Sequence, residues 1–224
     1  MDDITLITCS YNTPLVTECM LKTFSYFHKG KHKICLIENS DNNETKLLLD
    51  NYNIPYVNGK KVLEQNNNWG WSHHKGLDWA VKNIKTKYCL IVDTDILFLK
   101  PILNFLDILK EDNSIVALGP HQIFPPKLKL SPRVHPCFMF LNAEFFNSYS
   151  DLTFSYTNDP KHDVGSYFYE RVYELGKSIY FIEHNKYYNH LEGASWAVEK
   201  NTVNDIYKKI SKKLSHINIK NCFY

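Results

Sequence analysis

The run Lys87-Tyr88-Cys89-Leu90-Ile91-Val92-Asp93-Thr94-Asp95 is the most strongly strand-like stretch of the chain, and it closes on two aspartates with one residue between them. A continuous apolar run of this length is typical of a strand that is buried on both faces of a sheet. Carboxylates at the end of a buried strand are costly unless a positive charge meets them. The run therefore predicts a site for a divalent cation that carries a phosphorylated ligand, and the alternative is that the two carboxylates only cap a turn.

Strand-like and helix-like segments alternate in the first hundred residues. Short apolar runs predict strands, and apolar positions three or four apart predict helices. The predicted strands cover residues 4–9, 32–38, 54–57 and 87–95. One predicted helix begins after Pro14, and two others cover residues 45–52 and 72–84. This alternation indicates an α/β fold with a mainly parallel sheet flanked by helices. In such sheets ligands bind beyond the carboxyl ends of the strands, where the aspartate pair is expected.

The second half of the chain is less regular. Proline and polar residues predict a surface loop over 119–136. A helix is expected over 163–175, with Asp163 as its N-cap and Gly176 at its end. The other predictions are a helix over 101–109, strands over 115–118, 135–141 and 178–183, and a terminal amphipathic helix with Val203, Ile206, Ile210 and Leu214 on one side.

Length, charge and cysteine content exclude several classes of protein. The 224 residues suit one domain, and a net charge of +2 argues against a dedicated nucleic-acid binder. The start lacks the basic residues of a signal peptide, and no apolar run could span a bilayer, so we expect no membrane anchor of the chain's own. Six cysteines without a CxxC spacing indicate reduced thiols and a cytoplasmic location, which for a viral protein would be the host cytoplasm.

Polar segments follow the predicted strands in a set order. They are Ser10-Tyr11-Asn12, Glu38-Asn39-Ser40-Asp41, Asp93-Thr94-Asp95, His162-Asp163-Val164 and Asn189-His190-Leu191-Glu192-Gly193-Ala194-Ser195-Trp196. The chain resembles nucleotide-sugar glycosyltransferases of the GT-A fold, especially inverting family 2. The resemblance lies in the order of the motifs, which are S-Y-N, an acid plus N-S, D-x-D, an acidic helix start leading to R-x-x-x-x-G, and H-x-x-G-x-S. Each motif alone is weak, but the ordered set is fairly specific, and it extends from Ile4 to about Trp196.

The resemblance implies a fold and an activity. It implies a single GT-A domain over 1–224, with a nucleotide-binding half at 1–100 and an acceptor-binding half with the C-terminal helix at 101–224. The activity implied is inverting transfer of a sugar from a nucleotide diphosphate donor, with a UDP-sugar favoured. The acceptor would be a hydroxyl of a glycan, a lipid-linked molecule or a protein, and the cofactor would be Mn²⁺ or Mg²⁺.

The same resemblance implies roles for particular residues. Tyr11 would stack on a pyrimidine, although it could equally be a half-buried packing aromatic, and Glu38 would accept a hydrogen bond from the base or the ribose. Asp95 would coordinate the cation directly, and His190 would complete its coordination. Asp93, the third residue assigned to the metal, would contact the ribose or the groups bound to the cation. The full substrate-binding set is Ser10, Tyr11, Asn12, Glu38, Asn39, Trp69, His73, Lys75, Asp93 and Thr94.

Asp163 is the predicted general base, because the family places an acid at the start of the helix that runs through Arg171 to Gly176. A carboxylate is needed there to take the proton of the attacking hydroxyl. Asp163 could instead be a plain N-cap. Asp159 is the alternative base, and His184 is the alternative to His190.

The chain departs from the family at His73-His74-Lys75-Gly76, where members often carry R-N-x-G. This leaves open whether His73 or Lys75 contacts a diphosphate, and whether Trp69 and Trp71 line the donor pocket or only pack. Two other functions also remain. One is a phosphatase or phosphotransferase that uses the D-x-D acids, although haloacid-dehalogenase phosphatases need threonine or valine where this chain has Leu97. The other is a sugar-nucleotide-binding module without catalysis.

Overall fold

The apolar run before the aspartate pair forms β4 (Tyr88–Val92), in the middle of the main sheet. The computed structural model describes residues 4–59, 69–183, 185–191 and 201–224. β4 pairs in parallel with β1 (Ile4–Ser10), which pairs in parallel with β2 (Lys33–Glu38). Every residue of β1 and β4 is buried, as expected for strands that are covered on both faces.

The other elements complete an alternating α/β chain. The remaining strands are β3 (Val57–Asn58), β5 (Ile96–Phe98), β6 (Ile115–Gln122), β7 (Arg133–Val134), β8 (Phe138–Asn142), β9 (Ser178–Ile182) and β10 (Tyr188–His190). The helices are α1 (Pro14–Phe27), α2 (Glu44–Asn51), α3 (Trp69–Asn83), α4 (Phe105–Glu111), α5 (Ala143–Asn147), α6 (Ser166–Glu174) and α7 (Asn201–Lys213), with a 3₁₀ turn at Pro126–Leu128. None of the described helices is long and apolar enough to cross a membrane.

Within the described residues the strand order of the main sheet is β3-β2-β1-β4-β8-β6-β7, and β9 also pairs with β6. β3, β2, β1 and β4 are parallel to one another. β8 is antiparallel to both β4 and β6, and β9 is parallel to β6. The predicted α/β fold with a mainly parallel sheet is therefore confirmed.

Helices cover both faces of this sheet. One face carries α1, whose Met20, Leu21 and Phe24 join a core with Leu6, Leu36 and Leu90. The other face carries α3, whose Leu77, Ala80 and Val81 join a core with Ile7, Ile37 and Ile91. α3 approaches the sheet closely at Gly76, where a Cβ atom would lie 3.1 Å from Cys9 Sγ and 3.3 Å from Ile37 Cδ1. The helix that leads to the site thus has a fixed distance from β1 and β2.

The structure corrects several boundaries in the second half. The predicted surface loop over 119–136 contains the end of β6 and all of β7, and Arg133 within it is only 8% exposed. α4 begins at Phe105 and not after Pro101, since the intervening residues form turns. β5, β10 and α5 were not predicted, because each has only three to five residues and too short a pattern to recognise.

The start of α6 differs from the prediction in a way that matters for the site. Gly165 precedes the helix at a φ of +83°, a conformation that glycine adopts without strain. The prediction that Asp163 is the N-cap was wrong. Its Oδ1 instead accepts a hydrogen bond from the adjacent amide of Val164, at 2.7 Å. Gly176, at a φ of +68°, follows the end of the helix as predicted.

His28, at the end of α1, is buried and held as a neutral imidazole. Its Nδ1 donates to the Phe24 carbonyl oxygen at 3.0 Å, and its Nε2 accepts from the Ile102 amide at 2.9 Å. Burial lowers the pKa of His28 from 6.5 to about 4. Between these values the unfolded chain binds a proton that the folded chain does not, so the stability falls as the pH falls through this window, by about 3 kcal/mol in all.

The variant His28→Gln tests this expectation, because glutamine keeps an acceptor for Ile102 and cannot titrate. The free energy of unfolding in urea, measured from pH 7 to pH 4.5, should fall less steeply for the variant than for the parent. The exposed histidine of His216→Gln serves as the control and should leave the slope unchanged. Equal slopes for His28→Gln and the parent would contradict the expectation.

Candidate functional site

The first strands of the sheet end side by side. Ser10, the last residue of β1, lies opposite Glu38, the last residue of β2. The Asn39 amide donates to the Ser10 carbonyl oxygen at 2.9 Å. Asp93 follows β4 directly. Residues predicted from three separate segments therefore share one edge of the sheet, the edge at which parallel α/β sheets bind their ligands.

Glu38 presents a buried carboxyl group at this edge, with 1% of its surface exposed. The Ser40 amide donates to Oε1, whereas Oε2 has no hydrogen bond to any described residue. Burial raises the pKa of Glu38, although Ser40, Lys46 and Ser10 act in the opposite direction. A buried acceptor without a donor is costly, so an N–H or hydroxyl group of a ligand would be a favourable partner.

A hydrogen-bond network joins the loops that follow β1 and β2. The Asn12 amide donates to Ser40 Oγ at 2.7 Å, and Asn12 Oδ1 accepts from the Asp41 amide at 3.2 Å. The hydroxyl of the half-buried Tyr11 donates to Asp41 Oδ2 at 2.7 Å. Burial and this bond raise the pKa of Tyr11 to about 12. The structure thus brings the predicted loop residues together around Glu38, and stacking of Tyr11 on a base stays a prediction.

Asp93, Asp95 and His190 form a compact cluster beside these loops. One ligand atom of each lies within 4.8 Å of the others, and His190 Nε2 is 3.2 Å from Asp95 Oδ1. The side chains of Asp95 and His190 are only 2% and 8% exposed, and that of Asp93 is 24% exposed. Carboxylate oxygens suit Mg²⁺ and Mn²⁺, and the imidazole is acceptable to Mn²⁺.

Main-chain pairing delivers His190 to the aspartates. β10 runs antiparallel to β5, so that His190 lies opposite Ile96, the residue that follows Asp95. The Leu191 amide also donates to the Asp95 carbonyl oxygen at 3.2 Å. The backbone thus fixes the two ligand segments against each other. No sequence pattern predicted this ladder, and His190 was predicted from the family resemblance alone.

The electrostatics of the cluster fit a cation. Burial raises the pKa of Asp93, and Asp95 raises it further, whereas His73, Arg133 and His190 lower it. Asp93 Oδ1 has no hydrogen bond to a described residue. His73 Nε2, which is positively charged when protonated, lies 3.5 Å from it. A divalent cation would replace the repulsion between the carboxylates by attraction to a shared charge.

Without a cation, the variant Asp93→Asn should be more stable than the parent at neutral pH. A carboxyl group whose pKa is raised on folding opposes folding as the pH rises through its titration, and the amide removes this cost. A gain of about 1 kcal/mol would raise Tm by about 2–4 °C. Melting curves in EDTA measure this gain, with the exposed Asp107→Asn as the control. A lower Tm for Asp93→Asn in EDTA would show that its charge supports the fold.

The other predicted donor-site residues have different positions. Thr94 is buried in the turn between the two aspartates, and His73 lies near Asp93. Lys75 is half-buried on α3, two residues after His73 and therefore on a different side of the helix. Trp69 is the first residue of α3, but its side chain lies outside the described residues, as does the whole of His184.

Asp163 is held by an ion pair and not by a helix end. Its Oδ2 lies 2.8 Å from Arg133 Nη1. Tyr156 is also close, since burial and then Asp163 raise the pKa of the Tyr156 hydroxyl. Asp159 is 44% exposed and pairs with Lys161 at 3.5 Å. Of the two candidate bases, only Asp163 is described in contact with a buried cationic side chain.

Arg133 was missed by sequence reasoning, which assigned it to a surface loop. Its Nε donates to Gln122 Oε1 at 2.5 Å, and its Nη1 donates to the Val164 carbonyl oxygen at 2.9 Å. One signal was available: of the 26 basic residues only Arg133 and Arg171 are arginines. In a chain that otherwise uses lysine, an arginine indicates a position where the forked geometry of the guanidinium group is required.

Comparison with known proteins identifies the fold. No protein-family model matches the sequence, and no curated protein matches it. Among solved structures, S. aureus TarS 1–349 in complex with UDP-GlcNAc matches with a TM-score of 0.60 and 13% identity, over 98% of this chain and 68% of that chain. The mannosyltransferase PcManGT from Pyrobaculum calidifontis, in complex with GDP-Man and Mn²⁺, matches with a TM-score of 0.59 and 10% identity, over 94% of this chain and 64% of that chain.

A third structure of similar fold is a putative glucose-1-phosphate thymidylyltransferase from Bacillus anthracis. It matches with a TM-score of 0.60 and 9% identity, over 92% of this chain and 95% of that chain. The chain spans only 41% of the longer TarS structure. The chain therefore has the GT-A fold of nucleotide-sugar transferases, and the fold predicted from the ordered motifs is confirmed. This fold is shared by sugar transfer and nucleotidyl transfer, so the activity is argued from the site.

Proposed function

We propose that the chain is a metal-dependent, inverting glycosyltransferase that uses a nucleotide diphosphate sugar, with a UDP-sugar favoured. The observation that carries the proposal is the Asp93, Asp95 and His190 cluster at the carboxyl edge of a GT-A sheet, beside the buried carboxyl of Glu38. The similar structures of TarS and PcManGT were solved with UDP-GlcNAc and with GDP-Man and Mn²⁺, which supports a donor of this class.

The donor nucleotide would bind over the ends of β1 and β2. Glu38 Oε2 would accept from a base N–H or a ribose hydroxyl, since it has no hydrogen bond to a described residue. Tyr11 would stack on the base, held by its bond to Asp41. Ser10 at the end of β1, with Asn12 and Asn39 in the loops that follow, would shape this part of the site. Asp93 and Thr94 would continue it toward the diphosphate.

Asp93, Asp95 and His190 would hold the divalent cation. When bound, the cation would neutralise the negative charge that develops on the leaving diphosphate. Mn²⁺ is preferred over Mg²⁺ in this proposal, because an imidazole is one of the three ligands. His73, next to Asp93, is the residue of α3 best situated for a further contact to the diphosphate.

The transfer itself would be a single displacement. The acceptor oxygen forms a bond to the anomeric carbon while the bond from that carbon to the diphosphate oxygen breaks, which inverts the configuration. The acceptor's hydroxyl proton goes to the Asp163 carboxylate. The acceptor, a glycan, a lipid-linked molecule or a protein, would lie over the segment from 119 to 163, which contributes Arg133 and Asp163.

A thermal-shift panel of nucleotides and nucleotide sugars, with and without Mn²⁺, tests the proposal. A ligand that binds only the folded state raises Tm, so the hits identify the base and the sugar together. We expect UDP and one UDP-sugar to raise Tm in the presence of Mn²⁺ and to have little effect in EDTA. If no nucleoside diphosphate raises Tm with any divalent cation, the proposal is wrong.

Product analysis separates the proposed activity from its alternatives. A glycosyltransferase releases a nucleoside diphosphate, and a phosphatase releases inorganic phosphate from sugar phosphates. A nucleotidyltransferase releases pyrophosphate from a nucleoside triphosphate. This activity is tested as well, because the fold is similar to that of a thymidylyltransferase. A binding module gives thermal shifts without any product.

A further inference from the structure

Arg133 carries a positive charge into the interior of the site. Its side chain is 9% exposed, and it reaches this position from β7, which is joined to β6 by main-chain pairing. The guanidinium donates hydrogen bonds to Gln122 Oε1 and to the Val164 carbonyl oxygen, and it forms an ion pair with Asp163 Oδ2. The ring of Phe124, with its centroid 5.1 Å away, covers another side. A guanidinium with this many partners has one fixed orientation.

The charge of Arg133 acts on two carboxylates of the site. The ion pair with Asp163 is direct, at 2.8 Å. The segment that carries Arg133 also reaches the cation cluster: the ring of His135 packs against that of His190, with centroids 5.7 Å apart, and the Asp93 amide donates to the Cys137 carbonyl oxygen at 3.0 Å. The positive charge of Arg133 accordingly lowers the pKa of Asp93, against the larger opposite effect of burial. The short segment from Arg133 to Cys137 therefore contacts both the candidate base and the candidate cation ligands.

We propose that Arg133 is a positioning residue that fixes the Asp163 carboxylate and couples it electrostatically to the cation site. This inference rests on the proposed function, because it gives Asp163 and the cluster the roles proposed above. In this proposal Arg133 has two opposing effects on the site. It orients Asp163, and its positive charge repels the cation that Asp93 must help to bind.

The coupling predicts that loss of the charge strengthens cation binding while it weakens transfer. In Arg133→Gln, no positive charge opposes Mn²⁺, so the Kd for Mn²⁺ should fall about tenfold at low salt. In Asp163→Asn, the arginine has lost its counter-charge, so the Kd should rise by a similar factor. A residue with only a structural role would weaken binding when replaced and would not strengthen it.

Two further variants separate charge from geometry and allow for a variant that fails to fold. Arg133→Lys keeps the charge but cannot form the forked set of bonds. It should bind Mn²⁺ within about twofold of the parent and lose kcat more than donor affinity. The double variant Arg133→Gln/Asp163→Asn removes both charges and leaves no buried ion unpaired, so it should fold and bind Mn²⁺ nearly as the parent does.

Isothermal titration with Mn²⁺ alone measures these affinities without any need for turnover. A lower Kd for Arg133→Gln, a higher Kd for Asp163→Asn and a nearly restored value for the double variant would support the inference. If the parent binds Mn²⁺ and Arg133→Gln binds it equally or more weakly, the coupling is wrong while the proposed function stands. If Arg133→Gln does not fold, a double variant with the affinity of Asp163→Asn contradicts the coupling. If the parent binds no divalent cation, the proposed function and the coupling both fail.

Discussion

Asp95→Asn should abolish the Mn²⁺-dependent binding of UDP and lower sugar transfer by at least about a thousandfold, because a cation contributes several kcal/mol to such a step. Asp95 is the most buried acid of the cluster, and its Oδ1 faces His190 Nε2 at 3.2 Å. Asparagine has the same shape but one ligand oxygen fewer and no charge. The measurements are the thermal shift with UDP and Mn²⁺ and the rate of UDP release from the hit donor.

The control for this change is Asp112→Asn, at the exposed end of α4 and outside the cluster. It removes the same charge and should change neither the thermal shift nor the rate. The fold of Asp95→Asn is checked by its melting in EDTA. An Asp95→Asn variant that folds, binds UDP in a Mn²⁺-dependent manner and turns over within tenfold of the parent would rule out the assigned cation site.

Asp163→Asn should lower transfer by about a thousandfold, the middle of the range for general acid–base catalysis. The amide cannot accept the hydroxyl proton, although it can still accept a hydrogen bond from Arg133. Binding of UDP should persist when Mn²⁺ is saturating, so the loss should fall on kcat. Single-turnover transfer with both substrates saturating is the measurement.

Asp159→Asn is the matched control for the base. Asp159 lies four residues earlier, has a side chain that is 44% exposed and pairs with Lys161. Its replacement should leave the rate within about twofold. The opposite result, with Asp159→Asn inactive and Asp163→Asn active, would move the base to Asp159. Transfer that survives both changes would mean that neither residue takes the proton.

Sequence patterns predicted the parts of the fold that depend on local hydrophobicity. β1 and β4 are continuous apolar runs, and α3 has an apolar stripe at Leu77, Ala80 and Val81, so these elements were recognisable. The D-x-D pair was predicted at the carboxyl edge for the same reason. The ladder of β5 and β10 was not, because three-residue strands are defined by their partner and not by their own pattern.

The site was less predictable than the fold, because it depends on contacts between distant segments. Arg133 reads as part of a proline-rich loop, and only the folded chain shows that it pairs with Asp163. Asp163 satisfied the pattern of an N-cap, yet the residue that precedes α6 is Gly165, with its positive φ. His190 was predicted as a ligand from the family resemblance and not from the residues around it in the sequence.

The ladder between β5 and β10 also bears on which metal the cluster would accept. Backbone pairing fixes the main-chain separation of residues 95 and 190, so a wider ring of ligands would require a change in side-chain conformation or in the ladder itself. Ca²⁺ needs more oxygen donors and a wider, more compliant shell than this cluster provides. Discrimination against calcium would thus depend on the main-chain ladder as well as on the three side chains.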